Sequence, residues 1–202
     1  MKGISPERFQ TYRNAANGND VDALRLYMWN AAVAARFAGP LHLLEVTLRN
    51  AVHDRMTERY GLAWYDLNHL FGSEHSAIVE AKNYLIRRGE IATPGKVVAE
   101  VSFRFWVGLF ARKYHSLWKS DLGRLFSPRL TQSELHNDLD RLRTLRNRIA
   151  HHEPLIHRNL MNDFQRIASI TTALSPAMGD WLRWHERAVV VLGTPPSEVD
   201  SF

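Results

Sequence analysis

Three arginines, an asparagine and two histidines lie close together between residues 142 and 154, in the segment LRTLRNRIAHHEP. Arg146 is followed directly by Asn147 and, five positions after Arg146, by His151. Arginine carries a permanent planar charge suited to a phosphate, and histidine is the side chain most easily poised to transfer a proton near neutral pH. The segment therefore predicts metal-independent cleavage of a phosphodiester. A solvated basic helix end is the competing interpretation.

Histidines and an acid in the same segment suggest a second chemistry, hydrolysis with a bound metal ion. The possible ligands are His151, His152, Glu153 and His157. The H-E-x-x-H zinc motif is absent, and neighbouring histidines point apart on a helix. The chain also lacks a glycine-rich phosphate loop and a G-x-S-x-G nucleophile motif. The sequence therefore disfavours a metal-dependent reaction, and we expect no metal and no cofactor.

The helix that must carry this segment is predicted from the signals at its two ends. Thr131-Gln132-Ser133-Glu134 fits a capping box, which marks a helix start, and Pro154 ends the helix. At about 100° per residue, Arg146 falls inside the apolar stripe of this helix, which contains Leu135, Leu139, Leu142 and Ile149. A permanent cation in that position needs a partner or must face a cleft.

Glu45 is the acidic residue in a similar position on an earlier predicted helix. It lies within an apolar stripe made of Leu41, Leu44, Leu48, Val52 and Met56. Because an unpaired buried carboxylate is costly, we expect its partner to be either Arg49, one helical turn on, or a cation from another helix. The sequence predicts a buried ion pair between Glu45 and Arg146 that would hold the arginine in place. The alternative is that Glu45 lies at the rim of the stripe and reaches solvent.

On a helix, Arg146 and His151 would point to different sides, which makes it difficult for both to act on one phosphate. On an ideal helix these two positions lie about 140° apart, so His151 shares a face with Asn147 and not with Arg146. Three arrangements would resolve this: the helix loosens before Pro154, Arg146 reaches across, or two copies of the segment combine at a dimer interface. Proline disfavours helical geometry in the residue before it, which supports the first arrangement.

The rest of the chain is predicted to be helical, with almost no strand signal. Ser5-Pro6-Glu7 marks one helix start, Asp20 is a candidate cap for the next helix, and Gly39-Pro40 is expected to break that helix. Pro40 should open a third helix that reaches Tyr60. Further helices are predicted near residues 74–88, from residue 94, and near 160–174 and 176–192. These elements predict an all-α bundle in a single domain, residues 1–193, with a tail over residues 194–202.

The bulk composition is that of a globular protein with a polyanionic partner. The chain has 202 residues, of which 45% are hydrophobic, with a net charge of +5 and a pI near 9.7. It has no cysteine, no N-terminal apolar leader and no apolar run long enough to cross a membrane, so we expect a cytoplasmic protein. Aromatic residues between positions 103 and 126 could stack bases, but their helical spacing favours a core.

The string from Leu145 to Pro154, LRNRIAHHEP, resembles the site of Abi-like proteins, a branch of the HEPN ribonuclease superfamily with the signature R-x4-6-H. The resemblance covers most of the chain and includes residues 26–30 (LYMWN), 45–50 (EVTLRN), 93–100 (TPGKVVAE) and 102–106 (SFRFW). One departure is Arg104, where the family pattern often has glycine.

The resemblance implies a HEPN-like helical bundle with additional helices, which forms a homodimer and sets two copies of the motif across a shared cleft. It implies metal-independent endoribonuclease activity on RNA, in which the 2′-OH attacks the adjacent phosphorus and leaves a 2′,3′-cyclic phosphate. A role in phage defence or in a toxin–antitoxin-like system, with an antitoxin or regulatory partner, follows by analogy. The alternative is a non-catalytic RNA-binding or protein-interaction module with a HEPN-like fold.

Each candidate residue has an expected role at such a site. Arg146 would bind the phosphate, His151 would transfer the proton, and Asn147 would orient the histidine or the phosphate. His152 satisfies the looser spacing, but the family match favours His151. The other candidates for contacts with RNA, each of which could equally be a solvated charge, are Arg143, Arg148, His152 and Arg158. The supporting residues are Glu45 and Arg49.

Overall fold

The computed structural model describes residues 4–67 and 71–185, and every regular element in those ranges is a helix, which confirms the all-α prediction. The α-helices are α1 (Pro6–Ala15), α2 (Asp20–Tyr60), α3 (His75–Arg87), α4 (Pro94–Glu100), α5 (Phe103–Gly108), α6 (His115–Ser120), α7 (Gln132–Ala150), α8 (Leu160–Leu174) and α9 (Pro176–His185). Short 3₁₀ turns lie at Trp64–Asp66, Gly72–Glu74, Arg112–Tyr114 and Leu122–Leu125. Among the helices of these ranges, none combines the length and apolar character needed to cross a membrane.

The longest element is α2, whose 41 residues extend for about 60 Å at a rise of about 1.5 Å per residue. Near its start, Tyr27 packs edge-on against Tyr12 of α1, with ring centroids 5.4 Å apart. Further along, Phe37 packs in the same way against Phe164 of α8, at 6.4 Å. Helices α5, α7 and α9 also contact α2. This single helix therefore connects the start of the chain to the helices that carry the candidate site.

Helix α2 runs without interruption through Gly39 and Pro40, so the predicted break at this pair was wrong. Proline inside a helix removes one backbone hydrogen bond and costs about 3 kcal/mol. The buried apolar stripe, however, continues on both sides of Pro40 and contains Val33, Phe37, Leu41, Leu44 and Leu48. Burial of each large apolar side chain contributes about 1.5–3 kcal/mol. Packing of the stripe therefore outweighs the local preference of proline.

The starts of α1, α2 and α7 follow local capping signals. The side chain of Ser5 caps α1 as predicted. Helix α2 is capped by Asn19 and not by Asp20, because Asn19 Oδ1 accepts a backbone N–H from the first turn at 3.0 Å. Both halves of the capping box before α7 are present: Thr131 Oγ1 accepts from the N–H of Glu134 at 3.2 Å, and Glu134 Oε2 accepts from the N–H of Thr131 at 2.9 Å. The start of the site helix is thus set by its own sequence.

The remaining helix predictions agree with the structure to within a few residues. Helix α3 ends at Arg87, and Gly89 follows with a φ of 70°. Helices α4 and α8 begin at Pro94 and Leu160, as predicted. The predicted continuation of the last helix to residue 192 and the predicted tail at 194–202 lie outside the described residues.

The aromatic residues form the core, as their helical spacing predicted. Trp64 is fully buried and packs against Phe71 and Trp106, with ring centroids 5.4 and 6.1 Å away. A second cluster consists of Phe110, Trp118 and Phe126. Apart from the half-buried Trp118, these rings are buried, which supports a core role for them over base stacking.

A buried carboxylate joins the end of α2 to the end of α6. Asp121 is fully buried, and its Oδ1 accepts a hydrogen bond from Arg55 Nη2 at 2.8 Å. Its Oδ2 accepts from Tyr60 Oη at 3.0 Å and from Ser120 Oγ at 2.6 Å. Burial by itself raises the pKa of Asp121, but the three hydrogen bonds and the charge of Arg55 lower it by more, so the pKa lies below its usual value. Sequence reasoning missed this network because its members are far apart in the chain.

Candidate active site

The candidate segment forms the last turn of α7 and the turn that follows it. Helix α7 ends at Ala150. The N–H of His152 donates to the carbonyl of Ile149 at 3.1 Å, and the N–H of Glu153 donates to the carbonyl of Arg148 at 2.8 Å. These two bonds form a Schellman motif, which satisfies the free carbonyls at a helix end. The backbone of both histidines is therefore held in place by hydrogen bonds to the last turn of α7.

His152 has a backbone conformation that glycine usually adopts. Its φ is 55°, in the left-handed region, where a residue with a Cβ incurs a cost of about 1–2 kcal/mol. Glycine is the common residue at this position of a Schellman motif because it has no Cβ. Such local strain clusters at functional sites, where the surrounding structure maintains it. The left-handed conformation of His152 therefore follows from its position in the Schellman motif, and it places local strain in this turn.

His151 is the first residue beyond α7 and is exposed to solvent. Its N–H still donates to the carbonyl of Asn147 at 2.9 Å, which is the α-helical pattern. The helix ends at Ala150 and loosens over His151 and His152, before Pro154, as the first arrangement expected. That this loosening directs His151 towards Arg146 stays a prediction. On the intact helix, the neighbours of His151 one turn back are Asn147 and Arg148, whereas Arg146 leaves the helix about 140° away.

Arg146 does not occupy the core position that the apolar stripe predicted for it. Its side chain is 47% exposed, and Leu145 is fully buried in its place. The buried stripe of α7 consists of Leu135, Leu139, Leu142 and Leu145. The three leucines predicted before this point are buried, but the stripe continues through Leu145 and not through Arg146. Either residue continues a 3.6-residue repeat, and the apolar one is favoured in the core. The guanidinium of Arg146 is consequently accessible to a ligand.

The predicted pair between Glu45 and Arg146 exists, but it is not buried. Arg146 Nε lies 3.9 Å from Glu45 Oε2, beyond hydrogen-bond distance, and the Glu45 side chain is 25% exposed. An ion pair exposed to this degree contributes about 0–1 kcal/mol. Arg49, the other predicted partner of Glu45, donates from Nε to Asn50 Oδ1 at 3.4 Å. Glu45 therefore lies at the rim of its stripe and orients Arg146 only loosely.

Asn30 of α2 is a positioning residue that sequence reasoning missed. Its side chain is buried, its Oδ1 accepts the N–H of Leu155 at 2.6 Å, and its Nδ2 donates to the carbonyl of Glu153 at 3.5 Å. The side-chain amide thus fastens the turn behind the two histidines to the central helix. A polar residue at a core-facing position of α2, at helical spacing from Ala23 and Phe37, was the available signal.

Arg148 also holds this turn. Its Nη1 donates to the carbonyl of Pro154 at 3.3 Å, and its Nε lies 3.6 Å from Glu153 Oε2. The side chain remains 41% exposed. Arg148 therefore stabilises the turn through its contacts, and its charge remains partly accessible to solvent one helical turn from His151.

Arg143, a predicted contact for RNA, lies in a different cavity. Its Nε and Nη2 both lie 2.8 Å from Asp140 Oδ1. The two residues line a groove of about 830 Å³ between α3, α5 and α7, in which neither Arg146 nor His151 takes part. The charged residues of this groove are balanced, with acids at Glu74, Glu80 and Asp140 and cations at Arg104, Lys113 and Arg143. The groove therefore has no net attraction for a polyanion.

Arg158 is held by Asp163 at the start of α8. Its Nε and Nη2 lie 2.9 and 2.8 Å from Asp163 Oδ2, and only 17% of its side chain is exposed. Arg158 lines a pocket of about 400 Å³ with Arg141, His157 and Arg166. It is therefore a partly buried cation beside the candidate turn and not part of it.

The structure thus brings four candidates together at the end of α7 and separates the others. The residues together are Asn147, Arg148, His151 and His152. Arg146 leaves the helix on the side of α2, and Arg143 and Arg158 belong to two other cavities. Over residues 4–67 and 71–185, no three His, Asp or Glu side chains lie close enough together to hold a metal ion.

The fold and the site define an all-α protein that presents a basic, histidine-bearing helix end. Compared with protein-family models, with curated proteins and with solved structures, the chain shows no match in any of the three. The likeness to Abi-like HEPN proteins therefore rests on the strings of residues quoted above. A HEPN-like arrangement of the bundle stays a prediction.

Proposed function

We propose that this protein is a metal-independent endoribonuclease whose site lies at the C-terminal end of α7. Arg146 would bind the phosphate, His151 would transfer the proton, and Asn147 would orient either of them. The observation that carries the proposal is the R-N-x-x-x-H string at the end of an intact helix, where both histidines are exposed and His152 is held in a left-handed conformation.

The reaction needs only the RNA and the side chains of the protein. His151 takes the proton of the 2′-OH, the O2′–P bond forms, and the P–O5′ bond breaks. A proton returns to O5′ from the imidazolium or from water, which leaves a 2′,3′-cyclic phosphate and a 5′-hydroxyl. Proton transfer by a positioned side chain contributes about 10²–10⁴ in rate. The charge of Arg146 stabilises the negative charge that develops on the phosphate oxygens.

The surroundings of the two main residues support these roles. Arg146 is 47% exposed and only loosely attached to Glu45, so a phosphate can replace the carboxylate as its partner. The turn after His151 is fastened to α2 by the buried Asn30. A histidine on a fixed backbone loses less freedom when it meets its substrate.

The separation of Arg146 from His151 around α7 supports a homodimeric site. With about 140° between the two positions, one copy directs them to different sides. Two copies could combine the arginine of one with the histidine of the other. The resemblance to Abi-like HEPN proteins adds the biological setting of the proposal: a cytoplasmic nuclease in phage defence or in a toxin–antitoxin-like system, with an antitoxin or regulatory partner.

The alternative proposal is a module that binds RNA or another protein without catalysis. The contact of Arg146 with Glu45, on the side of the helix away from His151, favours this alternative. In that case the arginine would join α7 to α2, and the exposed histidines would be part of a basic binding surface.

Incubation of the purified protein with 5′-labelled RNA in EDTA separates the two proposals. A nuclease produces fragments that end in a 2′,3′-cyclic phosphate and leaves DNA of the same sequence intact. The Arg146→Ala and His151→Ala variants should lose this activity. Matched controls are Arg129→Ala, just before α7, and His136→Ala, near the start of the same helix; both should cleave normally.

One outcome would reject the nuclease, a second would reject its metal-independent mechanism, and a third would reject the assigned site. RNA that shifts on a native gel but stays intact would indicate the binding module. Cleavage that disappears in EDTA and returns with a divalent ion would indicate a metal-dependent reaction. Equal loss of activity in the two control variants would show that the effect comes from the fold and not from the site.

A further inference from the structure

A second basic pocket lies beside the candidate site, between α7 and the start of α8. Its volume is about 400 Å³, and its cations are Arg141, Arg158 and Arg166, with His157 beside them. The segment between His151 and α8 leads directly from the candidate turn to this pocket. None of the residues proposed above for catalysis lines it. The pocket is therefore a separate concentration of positive charge next to the same helix end.

Two buried or half-buried acids hold two of the arginines in place. Asp163 is only 4% exposed; Arg158 lies 2.8 Å from its Oδ2, and Arg166 Nη1 lies 3.7 Å from its Oδ1. Arg166 Nε also donates to Asp138 Oδ1 at 2.7 Å. Arg158 Nη2 donates in addition to the carbonyl of Arg141 at 3.3 Å. The two guanidinium groups are thus positioned before any ligand arrives, which lowers the entropy cost of binding.

The pocket keeps donors and charge for a ligand. Each guanidinium has five N–H groups, and the contacts above do not use Arg158 Nη1 or Arg166 Nη2. Within the described part of the chain, the side chain of Arg141 has neither an ion pair nor a hydrogen bond, and it is exposed. Three arginines against Asp163 and Asp138 leave an excess of positive charge. The N-terminal end of α8, which begins at Leu160, adds the positive end of its helix dipole.

The geometry of α7 connects this pocket to the site. Arg141 and Arg148 lie only about 20° apart around the helix and about 10 Å apart along it. Arg148 is one turn from His151 and remains 41% exposed. Two cations, Arg141 and Arg148, therefore follow one face of α7 from the pocket towards the exposed histidines, and the second of them has Glu153 beside it. A chain molecule with repeated negative charges would follow this face.

We propose that the pocket binds a phosphate of the RNA strand, distinct from the phosphate that is cleaved. The guanidinium group of arginine binds phosphate oxygens through paired charge-assisted hydrogen bonds. Here the guanidinium groups of Arg158 and Arg166 are held in place by acids, and that of Arg141 is free to turn towards a ligand. That the bound strand is RNA rests on the proposed function. That the bound group is a phosphate rests on the residues of the pocket alone. This second contact sets the position of the strand and makes Arg141 a binding residue outside the catalytic group.

The first test measures RNA binding by fluorescence anisotropy in the non-cleaving His151→Ala protein. Removing one phosphate contact from a single strand should make the slope of log K against log salt shallower by about 0.7, which at about 0.1 M salt is a fivefold weaker affinity. Arg141→Ala should show both changes. The control Arg129→Ala, an exposed arginine before the other end of α7, should bind within twofold of the parent. Because Arg141 is exposed, its variant should fold normally, which its thermal midpoint will show.

A second measurement identifies the source of the phosphate. Titration with inorganic phosphate, followed by ¹⁵N NMR, should shift the side-chain Nε–H signal of Arg158 and the amides at the start of α8. If these signals shift but Arg141→Ala binds RNA as well as its parent does, the pocket takes free phosphate and the proposal for RNA is overturned. If neither change occurs, the pocket is a structural ion-pair cluster and the proposal is overturned entirely.

The tests of the phosphate pocket and of the nuclease can fail independently of each other. Cleavage of RNA by the wild-type protein together with an unchanged salt slope in Arg141→Ala would keep the nuclease and reject the pocket. A shallower slope with no cleavage in any preparation would keep the pocket and reject the nuclease. Absence of RNA binding would reject both.

Discussion

Replacing His152 with glycine tests both the strain in the turn and the identity of the catalytic histidine. The φ of His152 is 55°, a conformation that costs a residue with a Cβ about 1–2 kcal/mol. Glycine avoids this cost, but its greater freedom in the unfolded chain offsets about 0.5–1 kcal/mol of the gain. The His152→Gly variant should therefore be more stable by about 0.5–1 kcal/mol. For a chain of this length, that raises the thermal midpoint by about 1–4 °C.

Two assays on the same samples measure the two effects. Thermal unfolding followed by circular dichroism gives the midpoint, and cleavage of labelled RNA in EDTA gives the activity. The matched control is His151→Gly: His151 has a φ of −96° and no left-handed strain, so glycine should lower the midpoint there. If His151 transfers the proton, His152→Gly keeps the activity and His151→Gly loses it.

Three other results of these assays would each refute a different part of the prediction. A midpoint for His152→Gly at or below that of the wild-type protein would show that the imidazole makes a contact that offsets the strain. Loss of cleavage in His152→Gly alone would assign the proton transfer to His152. Retention of activity in both variants would remove the histidines from the mechanism.

Three other substitutions test the surroundings of the site and the fold. Asn30→Ala leaves the buried N–H of Leu155 without its acceptor, so urea unfolding should show a loss of about 1–3 kcal/mol and cleavage should fall; full activity would show that the turn does not need this clamp. Asp121 has a lowered pKa in the folded protein, so it stabilises the fold above about pH 4 and loses this effect as the pH falls through its folded pKa. The free energy of unfolding of Asp121→Asn should depend less on pH below that point, and an unchanged dependence would contradict the network. Glu45→Gln removes the charge of a half-buried, loosely placed partner of Arg146 and should change stability by less than about 1 kcal/mol; a larger loss in urea unfolding would show that the pair contributes more than its 3.9 Å separation suggests.

The helices were predictable because their signals are local. The hydroxyl of Ser5 and the capping box at Thr131 each involve residues within one turn, so the same contacts form wherever the helix packs. Pro40 shows where this reasoning fails. Its local preference was correctly identified, but the buried stripe around it gains more from a continuous helix than the lost hydrogen bond costs.

The members of the candidate site were predictable in part. The string from Arg146 to His152 indicated which residue types lie at the end of the helix; in the structure the helix ends at Ala150, and His151 and His152 follow it and are exposed. The roles of these residues stay predictions. The strain at His152 and the clamp from Asn30 were not predicted, because a backbone angle and a contact across 123 residues leave no local pattern.

The sequence by itself determined the helical class and the starts of several helices, among them α1, α7 and α8, because apolar periodicity and capping act between near neighbours. Only the tertiary structure decided which way the site residues face. Positions 145 and 146 both continue the apolar stripe of α7, about 100° apart around the helix, and contact with the rest of the bundle buried Leu145 and left Arg146 accessible. The same packing set α2 behind the turn, so that Asn30 could hold it. Which residue of a helix is buried depends on how all the helices pack together, and this packing cannot be read from one segment of the sequence.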